Sequence, residues 1–378
     1  MTLETVLTNA RLILPEAEME GTILLRDGRI AEIQPGRAHH TSALDCEGDV
    51  IIPGVVDVHT DNLERQVQPR ANARWPSVSA FIAHDAQCAA AGVTTVLDAL
   101  CLGDLGFDQG RDQTFHDGVR DLTALHHQPF MKAEHLLHLR CELPARDMPG
   151  LLEGVADHPL IAMVSLMDHS PGVGQYRDLA RYRAMRIKQT RMTDAEVEVR
   201  ILKLQAQRAE LRERQRRLVI DRFAGRNIPL ASHDDEDASE VRRNAEDGIR
   251  VSEFPVTMEA AVEAARIGVG VIAGSPNIVR GGSHSGNVAA MDLVRANAVN
   301  VLASDYVPPA LIEAAFLIAA EIGLPRAIAT ITSAPAAMCN LSDRGRLEAG
   351  LRADLVRVGR YGAMPVVRQV WRNGVRVI

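Results

Sequence analysis

Short apolar runs rich in β-branched residues recur through the middle of the chain, separated by longer stretches with the spacing of amphipathic helices. Such runs, bounded by turn residues, are typical of strands buried in a parallel sheet. They alternate with helical segments such as 80–91 and 258–266. This alternation favours a parallel (β/α)8 barrel over its competitor, an open doubly wound sheet. The predicted strands are Val55–Val58, Thr94–Leu97, Leu136–Cys141, Ile161–Ser165, Ile228–Ala231, Ile249–Val251, Val269–Ile272 and Val299–Leu302.

Both ends of the chain have a different pattern, in which short strands are joined by tight turns. Residues 22–30 contain two β runs around Asp27-Gly28, and residues 353–375 contain strands and an Asn373-Gly374 turn. Asp-Gly and Asn-Gly are typical hairpin turns. Neither end is long enough for a stable sheet alone, so we expect the two ends to form one small β-sandwich. The predicted division is a sandwich domain of residues 1–52 and 345–378 and a barrel domain of residues 53–344.

A segment of residues 177–226 interrupts the strand–helix alternation. It is rich in Arg, Glu, Gln and Leu and has no Gly or Pro before Gly225. Thr193 followed by Glu196 is a capping signal for a second helix. We therefore predict a helical hairpin with helices at about 178–189 and 194–223. Its position soon after His169 suggests a lid over the barrel mouth or an oligomer contact, and a solvated hairpin without function is an equal alternative.

Composition narrows the class of protein. Hydrophobic residues make up 46% of the chain and charged residues 24%, which is ordinary for a globular protein with a large core. No apolar window is long enough for a membrane span, and the N-terminus lacks a signal-peptide pattern. The net charge of −7 gives no reason to expect a nucleic-acid or anionic-membrane partner. Five scattered cysteines without a CxxC motif predict reduced thiols and a cytoplasmic location.

Polar side chains follow several of the predicted barrel strands, where such barrels carry their chemistry. His59 and Asp61 are two residues apart, so on an extended chain their side chains point the same way. Each of these residues alone is more often a hydrogen-bonded loop or core residue, but their equivalent positions favour a shared site. The candidate metal ligands are His59, Asp61, Glu142, His169, His233 and Asp305.

Three imidazoles and three carboxylates suffice for two divalent metal ions, with zinc as the first expectation and manganese or iron as alternatives. The ligand charge of −3 against +4 would leave a positive centre for an anionic substrate. Two adjacent cations lower the pKa of a shared water and stabilise both the entering and the leaving oxygen. Glu142 is the predicted bridging carboxylate, and Asp305 the catalytic base that accepts the proton from the water.

With these residues the chain resembles the amidohydrolase superfamily. The resemblance rests on Pro53–His59, on the strand-end residues above, and on the closing segments Ser333–Ala337 and Asp343–Val356. It covers nearly the whole chain, including the split sandwich. The chain departs from the usual His-x-His motif because Asp61 stands in place of the second histidine.

Four further segments resemble one branch of that superfamily, the PhnM family of the carbon–phosphorus lyase pathway for phosphonate use. The resemblance implies hydrolysis of a phosphoric anhydride bond, converting α-D-ribose 1-methylphosphonate 5-triphosphate to the 5-phosphate and pyrophosphate. The family thus implies a small-molecule substrate and leaves a homo-oligomer open. The matching segments are Asp57–Glu64, Met163–Gly172, Ser232–Asp235 and Gly274–Asn287.

A Gly-rich loop within the last of these segments fits a phosphate-bearing substrate. Glycines let backbone N–H groups approach an anion, and arginine pairs bidentately with phosphate oxygens. A plain barrel loop that needs glycine for its turns is the alternative. Asp57 is expected to contact one of the metal ligands and fix its orientation without binding the metal itself. The predicted substrate-binding residues are Arg280, Gly281, Gly282, Ser283, His284, Ser285 and Asn287.

Two other functions remain open at this point. The first is hydrolysis of a C–N bond by a cyclic amidase or deaminase, and both the Gly-rich loop and Asp61 argue against it. The second is a non-catalytic scaffold of the same fold. A scaffold predicts missing ligands, whereas the expected set is complete in this sequence.

Overall fold

The computed structural model describes residues 4–70, 73–106, 110–190, 192–283 and 286–378. Its strands, in chain order, are β1 (Glu4–Ile13), β2 (Glu18–Arg26), β3 (Arg29–Pro35), β4 (Leu44–Asp45), β5 (Val50–Pro53), β6 (Val55–Thr60), β7 (Val93–Leu102), β8 (Glu134–Glu142), β9 (Ile161–Met167), β10 (Leu230–His233), β11 (Val251–Glu253), β12 (Gly270–Gly274), β13 (Val301–Ala303), β14 (Leu355–Tyr361), β15 (Met364–Arg372) and β16 (Val375–Arg376). Its α-helices are α1 (Asn62–Val67), α2 (Ser77–Ala90), α3 (Arg111–Leu125), α4 (Met148–Val155), α5 (Leu179–Thr190), α6 (Asp194–Phe223), α7 (Ala238–Glu246), α8 (Met258–Arg266), α9 (Ser275–Arg280), α10 (Ala290–Arg295), α11 (Ala310–Ile322), α12 (Leu324–Ala329) and α13 (Ser333–Met338).

Strands β6 to β13 form a parallel sheet in chain order, with helices between most of them. The first and last strands meet at a parallel bridge between Thr60 and Asp305, which nearly closes the sheet. All residues of β6 and β7 are buried, as expected for strands covered on both faces. The predicted (β/α)8 barrel is therefore confirmed, and the open-sheet alternative is wrong.

The barrel strands extend further toward their carboxyl ends than the apolar runs indicate. Strand β7 continues past Leu97 to Leu102, and β11 continues past Val251 to Glu253. An apolar run stops at its first polar residue, but polar residues that point into the barrel mouth still belong to the hydrogen-bonded ladder. This difference matters because the functional residues lie at those carboxyl ends.

The two chain ends share one mixed sheet of order β16-β15-β14-β5-β1-β2-β3, with β4 paired to β1. Both predicted hairpin turns are present. Asp27 and Gly28 have φ of 49° and 80°, and Asn373 and Gly374 have φ of 50° and 73°. Two consecutive residues with positive φ are what a type I′ turn requires, which explains Asp-Gly and Asn-Gly at these positions. We propose that this sheet and the barrel are two domains with the predicted bounds.

Strand β5 of the terminal sheet leads directly into barrel strand β6 through Gly54. The N–H of Gly54 donates to the carbonyl of Asp354 at 2.7 Å. A Cβ atom at this position would lie 2.2 Å from Oγ1 of Thr94, so no side chain fits. This close approach fixes the start of β6, the strand that carries His59.

Helices α5 and α6 form a hairpin across one side of the barrel mouth. Helix α6 begins at a capping box, in which Oγ1 of Thr193 accepts from the N–H of Glu196 and the Glu196 carboxylate accepts from the N–H of Thr193. Further along, Gln207 and Gln205 donate to backbone carbonyls of the loops that follow β8 and β9. The hairpin is thus anchored to the end of the barrel at which the strands have their carboxyl termini. Among the described helices, α6 included, none has both the length and the apolar character needed to cross a membrane.

Candidate active site

His59, Asp61 and Asp305 come together where β6 meets the end of β13. Backbone hydrogen bonds hold them there, because the N–H of Asp305 donates to the carbonyl of His59 at 3.0 Å and the N–H of Asp61 donates to the carbonyl of Asp305 at 2.6 Å. One ligand atom from each side chain lies within 4.8 Å of the others. We call these three residues group A. They offer one imidazole and two carboxylates to a cation.

A second set of donors, group B, consists of His169, His233 and Asp234, whose ligand atoms also lie within 4.8 Å of one another. His233 ends β10, and His169 lies in the loop after β9. The His59 and His233 rings are stacked with centroids 6.2 Å apart, so the two groups are neighbours. Together they supply three imidazoles and three carboxylates, the number expected from the sequence. In this arrangement Asp234 takes the place expected for Glu142.

Glu253 lies beneath both groups and is fully buried at the end of β11. One carboxylate oxygen accepts from Nδ1 of His59 at 2.7 Å, and the other accepts from Nδ1 of His233 at 2.8 Å. The Ser165 hydroxyl also donates to Glu253, at 2.8 Å. A carboxylate that holds Nδ1–H of a histidine leaves Nε2 available to a metal and fixes the ring orientation. Glu253 is therefore a positioning residue shared by the two groups.

Glu142 holds the third histidine. Its carboxylate accepts from Nδ1 of His169 at 2.6 Å and from the N–H of His169 at 2.9 Å. Both oxygens are thus directed at His169, and Glu142 belongs to none of the donor groups found among the described residues. This geometry supports a role for Glu142 in positioning His169. The bridging role of Glu142 stays a prediction.

Asp57 lies behind group A, as its expected orienting role requires. Its Oδ1 accepts from the N–H of Ser304 at 3.1 Å and from the N–H of His59 at 3.3 Å. It therefore ties the end of β6 to the loop after β13. Burial raises the pKa of Asp57 to about 6.

Burial and the charges around group A shift the pKa values of all three members, and the pKa of Asp61 is lowered strongly by Arg140 and His59. Burial opposes protonation of His59, but the adjacent Glu253 carboxylate outweighs it and raises the pKa of His59 to about 10. Burial and the nearby Asp61 carboxylate raise the pKa of Asp305 to about 7. A cation that binds at group A must displace the proton on His59, so metal uptake is coupled to proton release.

Asp234 and Glu253 were not found by the sequence analysis, for two different physical reasons. Neighbouring side chains on a strand point to opposite faces, so Asp234 is not expected beside His233. Asp234 has a left-handed backbone with φ of 59°, which breaks that alternation. Glu253 was missed because the predicted strand 249–251 ended two residues before it. Phe254 directly after it has φ of 54°, so left-handed residues recur at these strand ends.

A cavity of about 260 Å³ opens over the two groups and is lined on one side by the Gly-rich loop. Helix α9 ends at Gly281, whose φ of 75° allows the chain to turn. Oδ1 of Asn277 accepts from the N–H of Ala290 at 2.9 Å and thereby closes the base of the loop. Two predicted residues, His284 and Ser285, lie outside the described residues. The predicted residues that line the cavity are Arg280, Gly282, Ser283 and Asn287.

The donor chemistry of groups A and B fits divalent metal ions. Each of the three histidines has Nδ1 committed to a carboxylate, and each group adds at least one aspartate oxygen. Mixed nitrogen and oxygen ligands suit zinc, manganese and iron. The candidate ligands are therefore His59, Asp61, Asp305, His169, His233 and Asp234.

Comparison with characterised proteins identifies the family. The chain is 37% identical over 376 residues to the alpha-D-ribose 1-methylphosphonate 5-triphosphate diphosphatase of Escherichia coli (strain K12), covering 98% of this chain and 100% of the relative. The chain belongs to that diphosphatase family. No family model matches the sequence.

Solved structures extend the likeness at the level of the fold. N-acetylglucosamine-6-phosphate deacetylase from Pasteurella multocida matches with a TM-score of 0.63 and 12% identity over 98% of this chain and 99% of that one. N-isopropylammelide isopropylaminohydrolase from Burkholderia multivorans matches with a TM-score of 0.61 and 18% identity over 99% of this chain and 97% of that one. The diphosphatase-family chain thus shares its overall fold with these two enzymes.

A separate donor group of His84, Asp98 and His135 lies behind the barrel wall and forms a structural network. Asp98 bridges two histidines, with Nε2 of His84 at 2.7 Å and Nδ1 of His135 at 2.8 Å. On the other side of each ring, Nε2 of His135 lies 3.3 Å from Oδ1 of Asp85, and Nδ1 of His84 lies 2.9 Å from Nδ2 of Asn62. Each histidine is thus held on both sides by protein groups, and all of these side chains are buried.

This network predicts a pH-dependent stability. Burial opposes the charge on His135, but Asp98 outweighs it and raises the pKa of His135 to about 9. A histidine with a raised pKa contributes stability that is present in full below its unfolded value of about 6.5 and is lost as the pH rises through the folded value. His135 should therefore contribute about 3 kcal/mol to the fall in the free energy of unfolding between pH 6.5 and 9.5, since each pKa unit corresponds to about 1.4 kcal/mol.

Urea denaturation at several pH values measures this loss. His135→Gln should be less stable than the wild type at pH 6.5, and its decline above that pH should be smaller than the wild-type decline by about 3 kcal/mol. The decline that remains includes the contribution of His59, whose pKa is also raised. His116→Gln, which changes an exposed histidine on α3, is the matched control and should keep the wild-type decline. Equal declines in wild type and His135→Gln would contradict the assignment.

Proposed function

We propose that this protein hydrolyses α-D-ribose 1-methylphosphonate 5-triphosphate to α-D-ribose 1-methylphosphonate 5-phosphate and pyrophosphate. The observation that carries the proposal is the 37% identity to the Escherichia coli diphosphatase along the full length of that relative. The enzyme is thus a hydrolase of a phosphoric anhydride bond. It acts in phosphonate catabolism, and five buried, unpaired cysteines support a cytoplasmic location.

Two divalent cations, with zinc as the first candidate, would be held by His59, Asp61 and Asp305 and by His169, His233 and Asp234. When bound, such ions stabilise negative charge on phosphoryl oxygens and lower the pKa of a water molecule. Glu253 and Glu142 keep the three imidazoles in the tautomer that directs Nε2 to the cation. The positioning carboxylates thus prepare the site before substrate arrives.

Asp305 is the proposed base. Its carboxylate belongs to group A and lines the cavity, so it lies beside the place where the attacking water would be held. A carboxylate within hydrogen-bonding reach of a water molecule can accept its proton. Asp305 thus takes the proton from the water that attacks the α-phosphorus.

The substrate's phosphate chain is bound by the opposite wall. Arg280 contributes a guanidinium and Ser283 and Asn287 contribute polar side chains, all three lining the cavity. Phosphoryl transfer needs positioning and neutralisation of charge more than covalent help from the protein. The loop therefore holds the pyrophosphate leaving group in line with the attacking water.

A phosphorus NMR time course in ¹⁸O-labelled water tests this function. The zinc- or manganese-loaded protein should release pyrophosphate from the ribose triphosphate and place the label in the sugar 5-phosphate. Protein depleted of metal by a chelator is the control and should be inactive. Label in pyrophosphate would contradict attack at the α-phosphorus. No turnover by metal-loaded protein would overturn the phosphonate assignment and direct the search to cyclic amides and aminated bases.

A further inference from the structure

Arg140 stands in the wall of the active-site cavity, next to a candidate metal ligand. It lies two residues before Glu142 on β8, so its side chain points into the barrel like that of Glu142. Only 6% of Arg140 is exposed. A buried guanidinium in a catalytic cavity calls for an explanation, because desolvating such a charge is costly.

Within the described part of the chain, two contacts hold the Arg140 side chain. Nη1 donates to Oδ1 of Asp61 at 2.5 Å, and Nε approaches the thioether sulfur of Met167 at 3.1 Å. A thioether is a weak acceptor, so Asp61 supplies the one strong interaction of the two. These contacts use two of the five N–H donors of a guanidinium. The rest belong to a side chain that lines the cavity.

The same Asp61 oxygen lies 3.5 Å from Nε2 of His59. Asp61 therefore links the guanidinium to group A and sets its position relative to the candidate metal ligands. This link gives a reason for aspartate where the superfamily pattern has histidine, since a neutral imidazole carries no negative charge and could not form an ion pair with Arg140. It also places a fixed positive charge beside the centre at which the anhydride is cleaved.

We propose that Arg140 binds the non-bridging oxygens of the phosphoryl group that is attacked, with Asp61 as its positioning partner. This inference rests on the proposed function. A planar guanidinium matches two phosphate oxygens at once, which an ammonium cannot do. The Arg140 guanidinium is already in place to stabilise the negative charge that develops on those oxygens during cleavage.

The plainer alternative is that Arg140 only neutralises Asp61. The two roles differ in a measurement that needs no metal. Inorganic triphosphate carries both attacked and leaving phosphoryl groups, and its binding to metal-depleted protein can be followed by titration calorimetry. Arg140→Ala should weaken that binding at least tenfold. Arg357→Ala, which removes an equally buried arginine paired with Asp49 in the terminal sheet, is the matched control and should bind like the wild type.

Activity and metal content complete the experiment. Arg140→Ala should lose about 10²–10³-fold in kcat, the range for removal of one preorganised donor, while retaining the wild-type metal content per protomer. Added guanidinium should restore part of that kcat, whereas Arg140→Lys should stay impaired because it cannot form the bidentate contact. Circular dichroism spectra checked against the wild type exclude misfolding of either variant.

Two results separate failure of this inference from failure of the proposed function. If Arg140→Ala loses metal but binds triphosphate like the wild type, Arg140 only neutralises Asp61, and the inference is overturned. A wild-type protein that carries its metals but neither binds triphosphate nor turns over the ribose substrate would overturn the function itself.

Discussion

Replacing Asp305 by asparagine is expected to lower kcat by about 10³-fold, within the range for loss of a general base. An amide cannot accept a proton from water, and it is a weaker metal ligand than a carboxylate. The backbone of Asp305 is fixed by its hydrogen bonds to His59 and Asp61, and its φ of 55° is one that asparagine tolerates. Asp305→Asn should therefore fold normally, and steady-state release of pyrophosphate measures the loss.

The control for this variant is Asp292→Asn, which makes the same change at an exposed position on α10. It should have wild-type kcat. The metal content of both proteins must be measured, because lost metal would also lower the rate. An Asp305→Asn protein with full metal content and near wild-type kcat would exclude Asp305 as the base.

Replacing Glu253 by glutamine should weaken metal binding about 10–100-fold, the usual effect of removing a carboxylate that orients a histidine ligand. Glu253 accepts from Nδ1 of His59 and from Nδ1 of His233 with its two oxygens. Glutamine has one carbonyl oxygen, so its NH2 group must face an N–H of one of the two histidines. That imidazole must then change tautomer or rotate, and its Nε2 is lost as a ligand.

Metal affinity is measured by competition with a chromophoric chelator at fixed pH. Glu246→Gln, an exposed change on α7, is the matched control and should bind metal like the wild type. Glu253→Asp retains the charge and should bind metal better than Glu253→Gln if the carboxylate is what matters. A folded Glu253→Gln protein that binds metal with wild-type affinity would exclude a role for Glu253 in positioning the metal ligands.

The sequence predicted much of the fold because local signals agreed with the tertiary structure. Apolar runs marked all eight barrel strands, and Asp27-Gly28 and Asn373-Gly374 marked two turns whose positive φ values restrict the choice of residue. The N-terminus of α6 was predicted from Thr193 because a capping box is a contact between residues three positions apart. Such features depend on short stretches of chain.

The prediction of site residues was less complete, and the residues that it left out depend on long-range contacts. Glu142 was predicted as a ligand because it ends a strand, but its contact with His169, from the next strand–loop unit, was not predicted. Arg140 was not considered because only folding brings it to Asp61, 79 residues away in sequence. A pattern of residue types along a strand does not reveal which side chain of a neighbouring strand is within hydrogen-bonding distance.

The sequence by itself determined which elements form and which histidines and aspartates lie at their carboxyl ends, because hydrophobic periodicity and turn chemistry are local properties. Only the tertiary structure decided which of these residues lie next to one another. The closure of β13 against β6 brings Asp305 beside His59, and the left-handed turn at Asp234 returns that carboxylate to the site. Glu253 contacts His233 from the neighbouring strand β10 and His59 from β6, which β12 and β13 separate from β11, and such contacts are set by packing of the whole barrel.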